Sequence, residues 1–178
     1  MINNGYWLEA RPIASPNFNA RPEGAEISLL VIHCISLPPG EFGNHYVEDF
    51  FLNRLDADAH PYFATIADIH VSAHVFIKRN GDAIQFVSFN DRAWHAGRSE
   101  FNGQVECNDY SIGVELEGTD TGIYAPAQYK TLTRLTKALM THYPNITADR
   151  ITGHEHIAPQ RKTDPGTGFD WTMYKNSI

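Results

Sequence analysis

The clearest hydrophobic pattern in the chain is Ser28–Ile32 (SLLVI), a short and almost wholly apolar run that ends at His33. Such a run predicts a strand buried on both faces. Ala73–Lys78 (AHVFIK) and Ala83–Phe89 (AIQFVSF) read as a hairpin joined through Asn80-Gly81, whose positive φ angles suit a tight turn. Ser111–Leu116 (SIGVEL) alternates, with Ile112, Val114 and Leu116 on one face and Gly113 and Glu115 on the other. The longest helical pattern starts at Pro126, a natural first helical position, and ends before Pro144. Tyr129, Leu132, Leu135, Leu139 and Tyr143 form its apolar stripe. After the loop LPPGEFG, Asn44 is placed to cap a short helix carrying Val47, Phe50 and Phe51. Residues 1–26, with the Pro- and Asn-rich string PNFNARPEG, read as an irregular arm packed on a domain formed by residues 27–178. Strands interspersed with helices predict an α/β fold: a single domain with a mixed central β-sheet flanked by α-helices. No internal repeat, low-complexity run or linker interrupts it.

Composition narrows the function classes. A chain of 178 residues with 42% hydrophobic residues fills one domain with its own core. The formal net charge of −7 offers no long-range attraction to phosphate, which argues against nucleic acid. No stretch approaches the roughly 18 apolar residues of a membrane span. The first residues, MINNGYWLEARP, lack the basic and apolar regions of a secretory signal, so the expectation is a cytoplasmic protein. Cys34 and Cys107 have no C-x-x-C spacing and are expected to stay reduced. A monomer is expected.

Three features carry candidate chemistry: His33 at a strand end, Thr152-Gly153-His154-Glu155-His156, and Arg161-Lys162-Thr163-Asp164-Pro165-Gly166. His33, His154 and Asp164 together would make the two-His, one-carboxylate set of a catalytic zinc with a position left for water. Spacing alone leaves other readings open. His33 also fits a strand-end histidine bonded to a carbonyl, His154 and His156 a surface pair, and Asp164 an ordinary turn residue. Cys34 should point away from His33 and behave as a core thiol. Glu115 and Glu117 share a strand face, so periodicity does not choose between them.

The strings VIHCISLPPGEFG, AHPYF, VSAH, AWHAG, CNDYSIGVELEGTDT, TGH and APQRKTDPG resemble, in this order, the AmpD-type 1,6-anhydro-N-acetylmuramoyl-L-alanine amidases. The resemblance runs from about Trp7 to Trp171; each string is weak alone, and the ordered set is specific. It implies the fold of the zinc amidases and peptidoglycan recognition proteins, with residues 27–178 as the catalytic domain. It implies one zinc ion on His33, His154 and Asp164, the match to T-G-H selecting His154 over His156. It also implies an acid/base at Glu115 and a charge-stabilising Lys162. Arg161, His95 and Tyr62 become candidate substrate contacts, while Trp94 and His74 are expected to be structural. The implied activity is hydrolysis of the lactyl–L-alanine amide of small soluble anhydro-muropeptides in cell-wall recycling, without nucleic-acid or membrane partners. One segment departs from the family pattern. Gln104-Val105-Glu106 before C-N-D lacks the basic character that a substrate-carboxylate contact from that loop would need.

A lytic amidase acting on intact wall would share this site. A non-catalytic recognition module is disfavoured because Asp164 and Glu115 both stand. A zinc finger is excluded by charge and by the absence of finger spacing.

Overall fold

In the computed structural model, which describes Met1–Ile178, the SLLVI run lies within a central sheet of six strands. In chain order these are β1 (Arg11–Pro12), β2 (Leu29–Ile35), β3 (Val75–Ile77), β4 (Ala83–Gln85), β5 (Ser111–Glu117) and β6 (Ile151–Gly153). Their spatial order is β6-β2-β5-β3-β4-β1. β6 and β5 flank β2 in parallel, β5 pairs β3 in parallel, β3 and β4 are antiparallel, and β1 joins β4 in parallel. The sheet is therefore mixed, as its pattern predicts.

The helices are α1 (Tyr46–Phe51), α2 (Pro61–Ala64), α3 (Pro126–His142), α4 (His154–Ile157) and α5 (Trp171–Lys175). α3 begins at Pro126 as predicted and lays Tyr129, Leu132, Leu135 and Leu139 onto Leu30, Ile32, Ile112, Val114 and Leu116. Trimming one such fully buried leucine to alanine costs about 2–5 kcal/mol. The alternate residues Leu29 and Val31 pack on the other side with Ala96, Cys107, Tyr110 and Ile157. This two-sided burial explains why β2 reads as a continuous apolar run rather than an alternating one. α1 starts at Tyr46, whose N–H donates to Asn44 Oδ1 at 3.1 Å.

Two predictions need correction. The N-terminal arm is not irregular throughout: Ile2–Asn3 pairs with Tyr6–Trp7, β1 extends the central sheet, and Phe18–Ala20 pairs with Asp91–Ala93. Its Pro and Asn residues suppress a strand signal that tertiary pairing overrides. The hairpin strands are also shorter than predicted, and of Asn80 and Gly81 only Gly81 has positive φ, so no two-residue turn forms. The loop instead closes through Lys78 N–H to Asp82 O at 2.9 Å and Gly81 N–H to Lys78 O at 2.8 Å.

Candidate metal centre and active site

Register assembles the site. In the parallel β2–β5 pair Glu115 stands opposite His33, so both side chains leave the same face of the sheet. On the other edge of β2, Gly153 stands opposite Ile32, and the chain leaves the sheet there to begin α4 at His154. Gly153 admits close packing, since a Cβ there would meet Pro165 Cδ at 2.8 Å. The loop carrying Asp164 folds back onto α4, with Glu155 N–H donating to Asp164 O at 2.8 Å.

As a result His33 Nδ1, His154 Nδ1 and Asp164 Oδ2 form a triangle with sides of 2.9, 3.1 and 3.1 Å. Both histidines are buried and the carboxylate is half-buried. The Nε2 atoms face outward, that of His33 to His95 Nδ1 at 2.9 Å and that of His154 to the Ala96 carbonyl at 3.0 Å. A carbonyl only accepts, so the His154 proton sits on Nε2 and its Nδ1 presents a bare lone pair to the centre of the triangle. Two imidazole nitrogens and a carboxylate converging this closely could hold a metal ion. Tetrahedral zinc, with bonds of about 2.0–2.1 Å, spaces its ligand atoms roughly 3.3 Å apart, so the donor set fits that ion. Burial, and secondarily His154, lowers His33 to about 4, which keeps it in the neutral, metal-ligating form.

Glu115 Oε2 is buried without a hydrogen-bond partner. Burial pushes this carboxyl well above its usual range and Asp164 adds to the rise, while Lys162 pulls it down. The neighbouring Glu117 is occupied: its carboxylate accepts from Gly43 N–H at 2.5 Å and from Arg79 N–H at 2.9 Å, tying two loops to the strand end. The triangle borders a cleft of about 520 Å³ whose lining includes Glu115, Lys162, Arg161 and Tyr62 together with the apolar Leu37, Ile66, Ile69 and Val71. A lining that combines charged and apolar side chains suits an amphipathic small substrate.

Residues 23–167 match the family described as N-acetylmuramoyl-L-alanine amidase. The chain belongs to that family. It is 54% identical to the 1,6-anhydro-N-acetylmuramyl-L-alanine amidase AmpD of Haemophilus influenzae, the match covering 99% of this chain and 96% of that one. A crystal structure of a selenomethionine AmpD derivative superposes with a TM-score of 0.97 at 51% identity, covering 100% of this chain and 99% of that one. The Escherichia coli amidase AmiD, in complex with anhydro-N-acetylmuramic acid-L-Ala-D-γ-Glu-L-Lys, matches with a TM-score of 0.62 at 30% identity over 88% of this chain and 60% of that one.

The remaining predicted positions of the amidase divide. Tyr62, on α2, is exposed and lines the cleft. Arg161 lines it too, but its Nη2 donates to Ala96 O and to Arg98 O, each at 2.7 Å, so part of its fork holds backbone. His95 lines the cleft as well, with both ring nitrogens engaged, by His33 and by Ser111 Oγ at 3.1 Å. Its ring lies over Gly113, where a Cβ would come within 2.4 Å, which accounts for the glycine beside Glu115's strand position. The strings A-W-H-A-G and S-I-G in fact meet in space, which no local pattern reveals. His156 is exposed on α4, away from the triangle, and His74 is a buried structural residue that accepts from Gly113 N–H at 3.0 Å. Cys34 packs on the α3 side of the sheet, where burial pushes its thiol up to about 12, and it is no ligand.

Proposed function

We propose that this amidase hydrolyses the amide between the lactyl group of N-acetylmuramic acid and L-alanine in soluble 1,6-anhydro-muropeptides, releasing the stem peptide for cell-wall recycling. One zinc ion would be held by His33, His154 and Asp164. The observation that carries this reading is the triangle of inward-facing donors beside an unpartnered buried glutamate, in the lining of a cleft. The names of the AmpD relatives supply the substrate class. No helix is long and apolar enough to cross a membrane, and both cysteines are free, which suits the reducing cytoplasm. The enzyme is proposed to act there as a monomer.

When bound, zinc supplies Lewis acidity at the amide carbonyl and activates water near neutral pH. The chain's own groups do the rest. Glu115 accepts a proton from the attacking water and delivers it to the departing alanine nitrogen, which would otherwise be a very poor leaving group. A carboxyl raised by burial and lowered by Lys162 is suited to both halves of that task. The Lys162 ammonium stabilises negative charge on the former carbonyl oxygen. Tyr62 and the free edge of Arg161 line the space for sugar and peptide.

Purified protein incubated with anhydro-muropeptides and, separately, with sacculi should release free stem peptide from the soluble fragments far faster, as identified by mass spectrometry. A comparable rate on sacculi would make this a lytic enzyme of intact wall. Lys162→Ala should keep its zinc while kcat falls on the order of 100- to 1,000-fold, far more than KM rises. Lys162→Arg should restore little, because a planar fork replaces a compact charge. A rise confined to KM would make Lys162 a substrate-carboxylate anchor instead.

A further inference from the structure

One short segment, Trp94–Gly97, meets the outward nitrogens of both metal-centre histidines. His95 Nδ1 lies 2.9 Å from His33 Nε2, and the Ala96 carbonyl lies 3.0 Å from His154 Nε2. The segment is itself clamped, since His95 N–H and Ala96 N–H both donate to Asn108 Oδ1, at 3.2 and 2.8 Å. Arg161 Nη2 takes the second lone pair of the Ala96 carbonyl at 2.7 Å. Of the two histidines, His154 has its tautomer dictated by a carbonyl, whereas His33 faces another imidazole that can serve as donor or acceptor.

We infer that His95 is a positioning residue for the metal ligand His33: its Nδ1 accepts the His33 Nε2 proton, so that His33 Nδ1 is bare and aimed at the ion. His95 Nε2–H then donates to Ser111 Oγ, 3.1 Å away. The chain His33–His95–Ser111 can run in either direction because the hydroxyl both donates and accepts. Only the direction stated leaves His33 able to ligate. In the reverse direction His95 Nδ1–H donates to His33 Nε2, and the proton of a neutral His33 lies on Nδ1, inside the triangle. Outer partners of this kind fix ring orientation and raise ligand basicity. The ring's seat over Gly113 leaves it little freedom to turn away. Thus A-W-H-A-G, C-N-D and the serine of Y-S-I-G act as one unit around the ligands, while Trp94 and His95 also line the cleft.

The inference rests on the zinc reading of the triangle, and zinc titration of the unaltered protein against a chromophoric chelator tests that reading first. With zinc bound, nitrogen-15 histidine spectra of the unaltered protein should show His33 protonated at Nε2 and His95 protonated at Nε2 with Nδ1 bare. A proton on His95 Nδ1 in the zinc form would overturn the inference. Next, His95→Leu keeps bulk but loses the acceptor, and its zinc affinity should fall about 10- to 100-fold. His95→Asn places an amide oxygen near the former Nδ1 and should recover most of that loss. Unchanged affinity in the leucine variant, or no recovery with asparagine, would reduce His95 to a packing residue. The spectra use the unaltered protein, so they decide the question even where the leucine variant does not fold.

Discussion

Removing the metal, by chelation or by Asp164→Ala, is expected to abolish hydrolysis, and zinc should restore the chelated wild type but not the variant. Asp164 Oδ2 is the only anionic corner of the triangle, 3.1 Å from both imidazole nitrogens. Without it, two neutral ligands must hold a divalent ion in a buried setting, and affinity should fall by orders of magnitude. The folded state should lose stability together with the ion, because a ligand bound only by the native protein stabilises it by mass action. At a free zinc concentration about 1,000 times Kd that contribution is about 4 kcal/mol. Chelated wild-type protein should therefore unfold at a lower temperature, and added zinc should reverse the shift. Metal analysis showing full turnover from protein with far less than one zinc per chain would end the zinc reading.

The second large effect separates two glutamates that are two residues apart. Glu115→Gln should retain zinc and the fold while turnover falls about 100- to 10,000-fold, the usual contribution of a general acid/base. Its stability should hold or rise, because the substitution removes a buried carboxyl that has an unpartnered oxygen. Glu117→Gln should show the opposite profile. There the carboxylate accepts two backbone N–H groups, from Gly43 and Arg79, and an amide can offer only one acceptor oxygen in its place. Loss of a charge-assisted bond of this type costs about 1.5–3 kcal/mol, so the melting temperature should drop while kcat changes only a few-fold. Kinetics and thermal unfolding measured on both variants give a crossed pattern. Equal losses of turnover, or a larger one at Glu117, would show that the proton-transfer role lies elsewhere.

The core elements β2 and α3 are both written in local periodicity. An unbroken apolar run needs burial on both faces, and a stripe at helical spacing needs one wall to pack against; the structure supplies both. Arg11–Pro12 shows the limit of such reading, because proline-containing chain gives no strand signal yet pairs with Ala83–Gln85 at the sheet edge.

The candidate metal-holding groups were likewise legible as residues: two histidines and an aspartate of the right chemistry, ordered among recognisable strings. Their meeting was not, since the pairing of β6 with β2 brings His154 to His33 and the pairing of β5 with β2 brings Glu115 opposite it, a fact of register between distant stretches of chain. Glu115 and Glu117 have the same type, period and face in sequence. Only the loops arriving at Gly43 and Arg79 saturate one and leave the other bare. His95 shows the same division, for its string suggests a groove residue, which its place in the cleft lining allows, but gives no sign that the ring also ties His33 to Ser111. Local pattern alone carries the main buried strands, the long helix, the faces these bury and the chemical groups on offer. The tertiary structure alone decided which of those groups meet and which lone pairs stay free, because hydrogen-bond saturation depends on chain arriving from distant positions that no local period encodes.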